Sequence, residues 1–216
     1  FNSDPSEAWR TFDERKESAV GLPRKGITEN LMVQAHYHLW DEIIANRRAH
    51  GRCPYVDSCA SGGGRNDIES MRRGFPLMRS DSDRDSVARR LSYTTALCRW
   101  LPFHGSFVKE TASVLDTSAG KGPDKYVFRA SLLPICNLYE SFTQNPDLDY
   151  EMLRNNLAEW RSLAPFTLKD FHLLSPWHSS DRDDGWTVIA WDDSVQGESI
   201  VLAFRQAKCS TESFAA

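Results

Sequence analysis

Cys59-Ala60-Ser61-Gly62-Gly63-Gly64-Arg65-Asn66-Asp67 and, further on, Pro76-Leu77-Met78-Arg79-Ser80-Asp81 are the stretches on which the fold turns. Each loop trails a short segment with strand character. Tyr55-Val56, with Cys53, precedes the glycines, and residues 75–78 run into Arg79-Ser80-Asp81. Asn66 stands three residues before Glu69 and reads as a capping box opening a short helix between the two. Strand, helix, strand is the order of a parallel βαβ unit. Glycines let backbone approach a ligand closely, while arginines and carboxylates bind polyols and move protons. The loops after these two strands are therefore where chemistry is expected.

Outward from this centre the alternation continues. Upstream, residues 28–51 read as a helix, with Leu31, Ala35, Leu39 and Ile43 four apart. Residues 1–27 read as a long loop with a short helix over 7–12. Downstream, residues 83–101 predict a helix with Val87, Ala88 and Leu91 inward and its arginines outward. Residues 103–108 and 126–128 predict strands around a Ser/Gly/Lys loop at 116–125, and 148–163 a helix carrying Leu153, Leu157 and Trp160. Residues 186–191 and 199–204 predict a hairpin. The expected fold class is α/β: the second half of a (β/α)₈ barrel over residues 1–170, then the start of an antiparallel β-sandwich over 171–216.

Bulk properties narrow the function classes. A net charge of −4 with no basic block argues against nucleic acid, which needs cations along its phosphates. No apolar run reaches the length of a membrane span. Five cysteines, widely spaced and without a C-x-x-C pair, disfavour a disulfide scaffold or zinc site and favour reduced thiols in a cytoplasm-like setting. The chain starts at Phe1 without an initiator Met or signal-peptide pattern and reads as the middle of a longer protein, so export stays open.

The motif Cys59-Ala60-Ser61-Gly62-Gly63-Gly64-Arg65-Asn66-Asp67 with Arg79-Ser80-Asp81 resembles the C-x-x-G-G-x-R-x-D … S-D signature of family 36 α-galactosidases, which are melibiase-like retaining glycoside hydrolases. Phe1-Asn2 with Asp4-Pro5 and Trp9, Gly26-Ile27-Thr28-Glu29, Trp40-Asp41, Tyr126-Val127-Phe128-Arg129, Ala158-Glu159-Trp160 and Gly197-Glu198 extend the likeness along most of the chain. The resemblance implies double displacement at the anomeric carbon of a terminal α-galactoside, without metal or cofactor. It implies Asp81 as general acid/base and Cys59 and Gly62 as contacts to the galactose ring. Arg65 and Asp67 would shape that loop, Arg79 would reach a sugar hydroxyl, and Asn2 would neighbour a nucleophilic Asp expected just before Phe1. The expected partner is an α-galactoside oligosaccharide, with a homo-oligomer of the full-length form a further expectation. Ser82 stands where this subtype often carries Tyr, and Phe103-His104-Gly105 replaces an aromatic pair before Gly; both leave the leaving-group preference open. Related specificities are an α-N-acetylgalactosaminidase or a raffinose-synthase-like transglycosylase. The alternative from another class is a non-catalytic carbohydrate-binding remnant.

Residue by residue, blander readings stand beside these. Asp81 suits a helix N-cap, Cys59 a buried small hydrophobe, and Gly62-Gly63-Gly64 a tight turn. A phosphate cradle is disfavoured, because the final Gly of G-x-G-x-x-G and a Lys-Ser/Thr pair are missing. His36 and His38 are two apart and cannot share a metal face of a helix. Trp40, Trp100 and Trp160 follow helical stripes and read as core, whereas Trp9 and Trp177 read as loop residues able to stack on a sugar.

Overall fold

The computed structural model describes residues 4–58, 64–84, 86–108, 124–138, 146–179 and 182–215. The chain divides into two compact units, Phe1–Phe75 and Pro76–Ala216. Mixed helices and small sheets make up both.

The first unit opens with α1 (Ser6–Val20), longer than the short helix expected at 7–12. Its second half has no apolar stripe to read. Good helix formers and the Arg10–Glu14 pair, 3.0 Å and four residues apart, carry it onward. Helix α2 (Ile27–Ala49) matches the four-residue spacing. Asp13 of α1 ties the two together: its carboxylate accepts from Thr28 Oγ1 at 2.6 Å and Thr28 N at 3.2 Å. Strand β1 (Val56–Asp57) pairs in parallel with β2 (Gly74–Phe75) across α3 (Ile68–Met71). Asp67, not Asn66, caps α3; its carboxylate accepts from Ser70 N at 2.9 Å and Ser70 Oγ at 2.7 Å.

In the second unit, residues 76–79 lie against β3 (Gly105–Val108). Gly105 N donates to Pro76 O at 3.1 Å, and Arg79 N donates to Gly105 O at 3.2 Å. A Cβ at Gly105 would overlap the Leu77 carbonyl, so this approach requires glycine. A 3₁₀ turn (Asp81–Arg84) follows, then α4 (Val87–Leu97), capped by the Ser86 hydroxyl on Arg89 N at 3.1 Å. Strand β3 pairs in parallel with β4 (Ile135–Leu138), a strand the hydrophobic pattern did not reveal. Residues 126–128, expected as a strand, belong instead to α5 (Lys125–Arg129). The Asp124 carboxylate caps it on Val127 N at 2.8 Å, overriding the β preference of Tyr-Val-Phe.

Helix α6 (Tyr150–Leu163) forms as expected, with Asp149 as its cap. A 3₁₀ turn (Ala164–Leu168) leads to an antiparallel sheet in the order β5 (Asp170–Leu173), β6 (Trp186–Asp193), β7 (Glu198–Arg205). The 186–204 hairpin was legible, and β5 adds the outer strand. One core joins this sheet to the helices: Ile189, Trp191 and Phe204 pack with Val87, Leu91, Val127 and Leu133. Val108, Phe128, Leu148 and Leu153 form a second cluster. Trp40 is buried and Trp160 half-buried, but Trp100 is 47% exposed because α4 has ended before it. Among the described residues no helix is long and apolar enough to cross a membrane.

Candidate functional site

The two halves of the motif belong to different units. Arg65 and Asp67 lie in the first, just past the C-terminal end of β1, and Arg79 and Asp81 lie in the second. Asn2, Cys59 and Gly62 fall outside the described residues.

Within the first unit Arg65 and Asp67 line a half-open cleft of about 290 Å³ with Pro5, Trp9, Met32, Val33, His36, Tyr37 and Ser70. Trp9 sits on α1 rather than in a loop, and α2 supplies the opposite wall. Burial acts to raise the Asp67 carboxyl, yet the bonds from Ser70, Glu69 N and Tyr37 OH outweigh it and hold the group below the usual carboxylate range. Asp67 is thereby an anionic acceptor with its geometry set by the cap. His36 is held below the usual histidine range, first by burial and then by the Arg65 cation, so the cleft presents a neutral imidazole. The Tyr37 ring lies under the Arg73 guanidinium, 4.6 Å from its centroid. Arg73 in turn is fixed by Asp41 at 2.8 Å and Glu69 at 2.5 Å. An aromatic wall, a cation and a fixed carboxylate over an apolar floor suit a polyol ring.

The sequence points to Arg65, Asp67 and Trp9, but His36 enters it only as half of a pair too close to share a metal and Tyr37 not at all. The signal was present in the spacing: Met32 and His36, and Val33 and Tyr37, are pairs four apart on α2 and so share one face.

In the second unit Asp81 begins the 3₁₀ turn directly after the 76–79 segment and is exposed. It is not the cap of α4, a role taken by Ser86. Arg79 is wholly buried. Its Nε and Nη2 donate to the Asp83 carboxylate at 2.9 and 3.3 Å, Nη1 to Thr94 Oγ1 at 2.9 Å, and Nη2 to Arg90 O at 2.7 Å. A guanidinium so engaged does not reach a sugar hydroxyl; its place is beneath the turn. Arg90, expected on the outer face of its helix, is also buried, because Asp83 O at 3.0 Å and Ser131 Oγ at 3.0 Å take up its donors. Burial pushes it down to about 10, with Asp83 countering and Arg79 adding to the fall.

Below the turn, His104 is fully buried, its Nε2 3.6 Å from Cys98 Sγ and its Nδ1 without a partner among the described residues. Burial, then Arg79, pushes the imidazole down to about 3, and burial pushes the Cys98 thiol up to about 12. Neither is reactive in these states. Among the described residues no cluster of His, Cys, Asp and Glu could hold a metal ion.

A scan against family models matched none, and searches of the curated proteins and of the solved structures returned no similar chain.

Proposed function

We propose that this chain is the C-terminal half of the catalytic domain of a retaining α-galactosidase of the family 36 type, followed by the start of a β-sandwich. The observation that carries the reading is where the motif loops begin. Arg65 and Asp67 lie beyond the C-terminal end of the parallel strand β1, and Asp81 lies six residues beyond the end of β2, after a non-strand segment, 76–79, that bonds to Gly105 at both its ends. Barrel enzymes hold their working residues at such ends. The cleft around Arg65, Asp67 and Trp9 supports a sugar-sized ligand.

In this reading a nucleophilic carboxylate, expected before Phe1, attacks the anomeric carbon while Asp81 gives its proton to the departing glycosidic oxygen. Water then loses a proton to Asp81, attacks the same carbon and releases galactose with its configuration retained. The two carboxyl groups must stand about 5–5.5 Å apart. Asp81's exposure lets it meet both leaving group and water. Cys59, Gly62 and Asn2 complete the galactose contacts, Arg65 and Asp67 shape their loop, and Arg79 serves from below. Cys53, Cys98, Cys136 and Cys209 are free thiols, which favours a reducing, cytoplasmic setting.

Asp81→Asn in the longer protein tests the assignment. Turnover of a natural galactoside falls roughly 10²–10⁴-fold, the typical contribution of a positioned acid. Galactosylation by an aryl galactoside with a good leaving group suffers far less, since that oxygen departs without a proton. Small, equal losses on both substrates would remove Asp81 from the role.

A further inference from the structure

Three charged side chains, Arg79, Asp83 and Arg90, lie almost wholly out of water around the turn that carries Asp81. Fully buried arginine and aspartate are uncommon and costly to desolvate. Their arrangement accounts for their presence. Arg79 and Asp83 bracket Ser80-Asp81-Ser82 and close on each other through two bonds, Nε to Oδ2 at 2.9 Å and Nη2 to Oδ1 at 3.3 Å. Inside that clasp the turn is tightened by Asp83 N on Ser80 O at 3.3 Å and Ser82 N on Ser80 Oγ at 3.2 Å.

Each end of the clasp is anchored elsewhere. Arg79 N bonds to Gly105 O of β3, and its Nη1 to Thr94 of α4. Arg90 holds Asp83 O from the other side and reaches Ser131, whose hydroxyl donates to Phe107 O at 3.0 Å. The turn is thus tied to β3, α4 and the end of α5, while Asp81 itself remains at the surface.

We propose that Asp83, held between Arg79 and Arg90, is a positioning residue that fixes the Asp81 carboxyl in place. The network is an ionic clasp around an exposed acid rather than a general contribution to the core. This rests on the proposed function for the chemistry Asp81 performs, but the clasp itself is a property of the described residues.

Asp83→Asn and Thr94→Val test it, with amide hydrogen exchange read at Ser82 and Asp83 against β6 and β7, and turnover read alongside in the longer protein. Thr94→Val keeps the ion pair and carries the test where Asp83→Asn does not fold. The clasp predicts exchange at the turn at least tenfold faster in Asp83→Asn and about threefold faster in Thr94→Val, with the β6–β7 amides unchanged. It also predicts at least a tenfold loss of kcat on a natural galactoside in Asp83→Asn, with KM within twofold and an activated aryl substrate largely spared. In Thr94→Val the same selective loss is about threefold. Unchanged exchange at the turn, or a rise spread equally over both regions, overturns the clasp. Faster local exchange with unaltered turnover overturns its positioning of Asp81. Faster local exchange in a protein that never turns over a galactoside sustains the clasp and removes the galactosidase reading instead.

Discussion

At the scale of single residues, burial decides which polar groups do chemistry and which hold the fold. His104 shows the second kind. An imidazole in the unfolded chain titrates near 6.5, whereas burial and the Arg79 cation push the folded one down to about 3. Between those values the unfolded chain binds a proton that the folded chain refuses, so stability is full above about pH 6.5 and falls as pH drops toward 3. His104→Phe is expected to flatten that part of the stability curve, read from urea unfolding at pH 7, 6 and 5; an unchanged slope would contradict the assignment. The sequence left Asp67 and Asp81 as equal candidates by type and neighbourhood, and only the family resemblance gave them different roles. It could not separate Arg79, because a buried and an exposed guanidinium are the same letter until Asp83, Thr94 and the Arg90 carbonyl converge on it.

At the scale of elements, pattern was a good guide to α6, to the β6–β7 hairpin and to the existence of α2, although the α2 stripe of Leu31, Leu39 and Ile43 is exposed and Trp40 and Ile44 are its buried residues. It misled where a cap or a polar helix decides, and was silent where a close backbone approach does. The second half of α1 is polar all round, and α5 is helical because Asp124 caps it. Strand β4 exists because β3 offers it a parallel edge over four residues. Gly105 is the most exacting position in that pairing, since the Leu77 carbonyl occupies the space of a Cβ. Gly105→Ala is expected to destabilise the second unit by about 3 kcal/mol, at the upper end for a forced overpacking, measured as a shift in the denaturant midpoint. A loss within about 0.5 kcal/mol would mean that the 76–79 segment and β3 are not in this contact; surface substitutions of that size are ordinary.

At the scale of the whole molecule, the reading requires two carboxylates, and this chain is expected to supply one. Parallel strands with helices between them, and an antiparallel sheet sharing a core with α4 and α5, are the described framework on which Asp81 stands. If the chain is the proposed half-barrel, it leaves sheet edges that invite association, and the 216-residue chain alone is then expected to aggregate and to be inactive. The central claim is tested by ¹H NMR of the galactose anomer first released from an α-galactoside, comparing this chain with the same chain joined to the segment proposed to precede Phe1 and to carry the nucleophile. The account predicts no release by the chain alone and α-galactose first from the joined protein. Release of β-galactose first, no release from the joined protein, or appreciable turnover by the chain alone would contradict it.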